Sequence, residues 1–256
     1  MLPVEPSSIA TALAAKTGDP ALDVAKEQAQ SLLKSLLGPV ATSAGELLAL
    51  PVREWQFNNV IKTLARTQSK FKAAGINPKS VSLKIIHPLL ENVALEPEPE
   101  LQERWSNLLA NEADPRKSES GGVAFVSILK EFTAREARFL DAFLESVECT
   151  DDTRPLLVME NLPGYTDEQL FEVYSGAGLA RDDVDASVHD YNRMMDLLIR
   201  NRIFSSFAHP EPLEIVTKGG FGVIAAISPI KLQTTLVYRI TDLGWSFLFA
   251  CRAPVA

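Results

Sequence analysis

The chain is poor in cysteine and histidine and has no long hydrophobic run, and each shortage removes a class of function. Its 256 residues include two cysteines, Cys149 and Cys251. They form no Cys-x-x-Cys or Cys/His spacing, so no zinc site is expected. Two isolated thiols also make no disulfide framework, which fits a reducing cytosol. Only three histidines, His87, His189 and His209, are available for acid/base chemistry. The longest uninterrupted apolar stretch lies around Phe221 to Ile227, far short of the roughly 20 residues that span a bilayer. Met1 to Thr17 carries one lysine, Lys16, and no basic region ahead of an apolar one, so no signal peptide is expected. Together these absences predict a cytoplasmic protein without integral membrane association.

What is present is an ordinary globular composition, 46% hydrophobic and 23% charged, with length enough for one large domain or two smaller ones. The net charge of -8 is unevenly placed. Residues 1–130 are balanced, and residues 131–256 carry the whole acidic excess. Nucleic-acid binding depends on clustered positive charge, so the second half is a poor candidate for it.

The hydrophobic pattern is helical through the first half. Asp19-Pro20 marks a helix start, Leu32, Leu33 and Leu36 follow at helical spacing, and Gly38-Pro39 ends the run. Phe57, Val60, Ile61, Leu64 and Phe71 make the clearest amphipathic seam of the chain, with Gln56, Lys62, Arg66, Lys70 and Lys72 on the other faces. A helix this long predicts a coiled-coil-like pairing, and the seam is the expected self-association contact. Further helices are predicted around Leu83 to Val93, Leu101 to Leu109 and Val123 to Lys130. Thr133-Ala-Arg-Glu136 and Thr166 with Gln169 are capping boxes that open two more. A third helix of this half runs roughly from Arg181 to Asn201. The period then drops to two, with short runs at Ile203 to Phe207, Leu213 to Val216 and Phe221 to Ala226. Leu232 to Ile240 alternates strictly as a half-buried strand, and Thr241-Asp242 caps a last helix.

This order predicts a mainly α protein. A helical extension (1–38) and a helical domain (39–130) precede a winged-helix-like α+β module (131–256) of three helices followed by a β wing.

Three stretches of the chain resemble a known family. They are Leu101-Gln-Glu-Arg-Trp-Ser-Asn-Leu-Leu-Ala-Asn111 with Asp114-Pro115, then Phe125-Val-Ser-Ile-Leu-Lys130 with Thr133-Ala-Arg-Glu-Ala137, and Tyr238-x-Ile-Thr-x-x-Gly244-x-x-Phe247-x-x-x-Cys251. In order and spacing they are similar to the bacterial abortive infection alpha proteins, over roughly residues 40–251. The resemblance implies a prokaryotic, phage-defence-associated, cytoplasmic protein, and brings no catalytic residues with it.

The residues themselves assign no catalytic, cofactor or metal site. His189 has Asp185 four residues before it and Asp190 beside it, but no serine or cysteine nucleophile stands in a Gly-x-Ser-x-Gly elbow. Asp182, Asp183 and Asp185 lack the calcium-loop spacing and complement a helix N-terminus instead. Gly219-Gly-Phe-Gly222 lies between β-prone runs rather than opening a helix, so it reads as a hairpin tip and not a phosphate loop. Arg193, Arg200 and Arg202 form the basic cluster of the second half and are the candidate nucleic-acid contacts. The favoured expectation is a non-enzymatic interaction protein of phage defence whose partner is a protein, phage-encoded or a second copy of the chain. A winged-helix DNA-binding regulator is the alternative, disfavoured by the acidic half. A toxic enzyme whose site is assembled only by folding is the third.

Overall fold

The computed structural model describes residues 7–8, 20–37, 51–52, 54–117, 121–147, 164–210 and 234–254. Among them are nine helices, one two-stranded pairing and one three-stranded antiparallel sheet. The expected strands at 213–216 and 221–226, and the glycine-rich tip, lie outside the described residues. The chain divides into two compact units, Met1–Leu140 with Trp245–Ala256, and Asp141–Gly244.

The first unit is helical. Strands β1 (Ser7–Ser8) and β2 (Pro51–Val52) pair antiparallel. Helices α1 (Pro20–Leu37), α2 (Glu54–Ala73), α3 (Leu83–Leu95), α4 (Pro99–Glu112) and α5 (Gly122–Leu129) follow. They are joined by the first half of α6 (Ala134–Ser146) and most of α9 (Asp242–Ala250). Helix α2 is the hub and packs against α1, α3 and α4. Its apolar stripe and Leu32, Leu33 and Leu36 of α1 are all buried. The Val81 amide also donates to the Leu36 carbonyl at 2.8 Å. Helix α1 is therefore part of this core, not an extension of it.

The second unit runs β3 (Tyr165–Thr166), α7 (Asp167–Gly176), α8 (Val184–Arg200), β4 (Phe204–Pro210) and β5 (Thr234–Ile240). The sheet order is β3-β5-β4, all antiparallel, with Phe204 opposite Ile240 and Pro210 opposite Thr234. Phe143, from the second half of α6, meets Tyr165 and Phe204 edge-on at 5.2 and 5.1 Å. Phe171 and Tyr174 of α7 meet Tyr191 of α8 the same way, at 5.3 and 5.6 Å. The unit boundaries fall inside α6 and α9 rather than at residue 130. Ala137 and Leu140 lie in the first core and Phe143 and Leu144 in the second.

The helix starts follow local chemistry. The Thr166 box is complete, with Gln169 N–H on the threonine hydroxyl and the Gln169 side chain on the Thr166 amide. At Thr133 only half of the expected box forms. Glu136 accepts from the Thr133 amide, while the Thr133 hydroxyl bonds the same carboxylate and accepts from Arg135 N–H instead of capping the Glu136 amide. Asp183 caps α8 by accepting from Ala186 N–H, so that helix begins at Val184, three residues later than its pattern suggests.

Three helices end in the same paired hydrogen-bond motif, which needs a left-handed residue. After α2 and α7 that residue is Gly75 (φ 62°) and Gly178 (φ 68°), and after α8 it is Arg202 (φ 59°). Arg202 N–H donates to Ile199 and Ile203 N–H to Leu198, at 2.9 and 2.8 Å. A side chain in this conformation carries a steric cost that glycine escapes. Arg202→Gly is therefore expected to raise the stability of the second unit by roughly 0.5–1 kcal/mol in a denaturant titration, after glycine's own entropy is deducted. A loss of stability would mean that the guanidinium makes a contact worth more than the strain.

Candidate functional site

Most of the residues that carry the family-like motifs lie inside the first unit, while Tyr238, Ile240, Thr241 and Gly244 belong to the second. Leu101, Trp105 and Leu108 of α4 are fully buried, as expected of an apolar helical stripe. Asn107 and Asn111, one turn apart on the same helix, reach the end of α9. Asn107 Nδ2 donates to the Cys251 carbonyl at 2.8 Å, and Asn111 Nδ2 to the Ala250 and Arg252 carbonyls, both at 2.8 Å. The last carbonyls of a helix have no partner within it, so the two asparagines act as a C-cap supplied by another helix. Lys117 Nζ donates to Asn111 Oδ1 at 2.6 Å and holds the amide in that orientation.

Neighbouring motif residues do similar work. Arg104 donates to the Ala137 carbonyl at 2.6 Å, and Glu112 accepts the Gly122 amide at 2.9 Å. Burial would raise the Asp114 carboxyl, but hydrogen bonds from the Arg116 side chain and amide outweigh it and hold the group below its ordinary value. Phe247 meets Phe125 and Phe132 edge-on at 5.6 and 5.4 Å. In the second unit a Cβ on Gly244 would lie 2.3 Å from the Ile203 carbonyl oxygen, which explains the glycine of that motif. These motif residues build the fold.

The α2 seam is corrected by the structure. Phe57, Val60, Ile61, Leu64 and Phe71 are at most 5% exposed in the single chain, because α1, α3 and α4 already cover α2. A second copy could reach that face only by opening the core. Behind the seam lies a polar strip that periodicity hides. Lys70 Nζ is 2.8 Å from Ser106 Oγ and 2.6 Å from Glu103 Oε1, and Thr67 also bonds Ser106. Burial pulls the Lys70 ammonium below its ordinary range, with Glu103 opposing. A lysine beside a serine can activate a nucleophile. Ser106, however, is wholly buried, and Glu103 already pairs with the lysine. The strip sets the register of α2 on α4.

The predicted residues of the second unit are placed on α8 and around it. His189 and Asp185 are both exposed, and no hydrogen bond or ion pair joins them. Asp190 turns inward and pairs with Arg181 at 2.8 Å. Arg193 and Arg200 are exposed on α8, and Arg202 is exposed in the turn after it. The buried side of the helix carries Tyr191, Met194, Met195 and Leu198. Tyr191 donates to Asp167 Oδ1 at 3.0 Å, and the same carboxylate faces Tyr238 of β5. Burial first, then the Asp167 charge, raises both phenols, Tyr238 to about 12. This carboxylate holds two neutral tyrosines and so joins α7, α8 and the sheet.

Among the described residues no group of three or more His, Cys, Asp or Glu side chains could hold a metal ion. None of the helices described is long and apolar enough to cross a membrane. Sequence reasoning missed the asparagine clasp. Its available signal was two amides four residues apart on one side of a helix, in line with Arg104.

The architecture is that of a mainly helical protein with a small antiparallel sheet, and its shared motifs lie in the packing rather than in an open site. The family model described as abortive infection alpha matches residues 58–251, most of the chain. The chain belongs to the abortive infection alpha family. The match ends at Cys251, as the motifs predict, and begins inside α2 rather than near residue 40. No curated protein and no solved structure matches the chain.

Proposed function

We propose that this chain acts in abortive infection, the phage-defence response that sacrifices or arrests an infected cell. In this reading it is a cytoplasmic, non-enzymatic protein that works by contacting another protein through its second unit. The order helix, strand, helix, helix, strand, strand with sheet order β3-β5-β4 supports reading that unit as a winged-helix-like module, with α8 in the position of the recognition helix. The observation that carries the choice of partner is the charge at the start of α8. Asp182, Asp183 and Asp185 are all exposed there. Recognition helices place their N-terminal end in the DNA major groove, where three carboxylates would face phosphates and repel them.

Exposed Arg193, Arg200 and Arg202 favour the second reading, a DNA-binding regulator. Titration of labelled duplex DNA at low salt separates the two. No binding is expected from the full chain, whereas salt-sensitive binding that Arg193→Ala with Arg200→Ala abolishes would install the regulator. In cells, Asp182→Lys with Asp185→Lys is expected to remove protection against phage while leaving the circular dichroism spectrum unchanged. Full protection by that variant would show that this end of α8 is not the working surface.

A further inference from the structure

We propose that the surface docking on the start of α8 is a cationic protein surface bearing an apolar ridge, and that Val184 and Val188 are the contact it covers. This rests on the protein-contact reading above. Among the described residues six large apolar side chains are exposed: Val24, Leu95, Val123, Val184, Val188 and Leu236. Only Val184 and Val188 stand one turn apart on one helix, where they share a side. They are 68% and 40% exposed, while Tyr191, Met194, Met195 and Leu198 of the same helix are buried. Exposed single apolar residues are ordinary, but an adjacent pair on a helix otherwise patterned to hide its apolar groups marks a face that a partner would cover.

The charge around the pair names the chemistry of that partner. Asp182, Asp183 and Asp185 flank it on the chain. Helix α7 packs against α8 through Phe171, Tyr174 and Tyr191 and adds exposed Asp167, Glu168 and Glu172. Between residues 164 and 192 the exposed ionisable groups are these carboxylates, Arg181 and His189. The Arg181 guanidinium is drawn 2.8 Å from Asp190. Anionic partners, whether nucleic acid, an acidic lipid surface or an acidic protein, meet repulsion here. A small cation would satisfy the carboxylates but leave the valines in water. A Lys- or Arg-bearing face with an apolar ridge satisfies both, and the opposite charges would speed its approach.

The test uses the full chain and a short amphipathic Lys/Leu helical peptide as probe, with a Lys/Ser peptide of equal charge as control. Fluorescence anisotropy at low salt is expected to show binding of the Lys/Leu peptide. Burying one valine contributes close to a factor of ten, so Val184→Ser with Val188→Ser, or the change to the Lys/Ser peptide, should weaken it about tenfold or more. Asp182→Asn with Asp185→Asn should weaken it and flatten its salt dependence. Both valines are exposed, so the serine variants keep the fold, which circular dichroism confirms. Equal binding of the two peptides, or no effect of the valine changes, overturns the proposal by reducing it to general attraction between opposite charges. Binding of duplex DNA by the wild-type chain would overturn the protein-contact reading itself, a separate and distinguishable failure.

Discussion

Asn111→Ala is expected to destabilise the helical unit by about 1–3 kcal/mol, the cost of leaving part-buried carbonyls without a donor. One amide group stands within hydrogen-bond distance of the Asn107, Ala250 and Arg252 carbonyls, at 3.0, 2.8 and 2.8 Å. Lys117 would also lose its acceptor. Asn111→Asp should be worse than alanine even though it keeps an acceptor for Lys117. Its carboxylate would face the carbonyl end of α9, where the helix dipole is already negative. The denaturation midpoints of the three proteins decide the matter. An alanine variant within about 0.5 kcal/mol of wild type would mean that water or a shifted α9 satisfies those carbonyls equally well.

A larger loss is expected at Phe247. Its ring is fully buried in the single chain and meets Phe125 and Phe132 edge-on. Phe247→Ala combines a lost transfer free energy with a cavity beside α5 and the segment that follows it, for about 3–5 kcal/mol. Phe247→Leu, which keeps most of the volume, should cost well under half of that, with the lost edge-to-face contacts as the main deficit. Thermal unfolding read by circular dichroism separates the two variants. In cells both variants should lose phage protection only in proportion to the fall in folded protein, since the motif is part of the core. A Phe247→Leu variant that is abundant and folded but gives no protection would assign that ring a functional role.

These predictions show where sequence reading ends. The periodicity of Leu101, Trp105 and Leu108 places them in a core, and they are buried. The Thr166–Gln169 box, Gly75 after α2 and the β run ending at Ile240 rest on local signals, and the backbone follows each of them, although Leu236 of the alternating set is exposed and Val237 is buried. The α2 seam shows the limit of the same signal. A stripe at helical spacing says that something covers Phe57 to Phe71, but it cannot say whether the cover is another helix of the same chain or a second molecule. The capping box at Thr133 forms only in part because the hydroxyl finds the carboxylate directly.

What the sequence determined by itself was the inventory: helices from their periodicity and caps, a late β segment, an acidic second half, and a family named by residues that turned out to be structural. Only the tertiary structure decided which faces are closed. Within the sequence Asn111 with Asp114 suggests a cap for its own helix, yet about 140 residues separate Asn107 and Asn111 from the carbonyls they cap. The domain edge expected at residue 130 falls inside α6, and α9 returns to the first unit, because aromatic and amide contacts assign a helix to a core regardless of its place in the chain. Local spacing encodes hydrogen bonds and turns within a few residues. Which surface remains open, here the start of α8 with Val184 and Val188, depends on every other element having found its partner first.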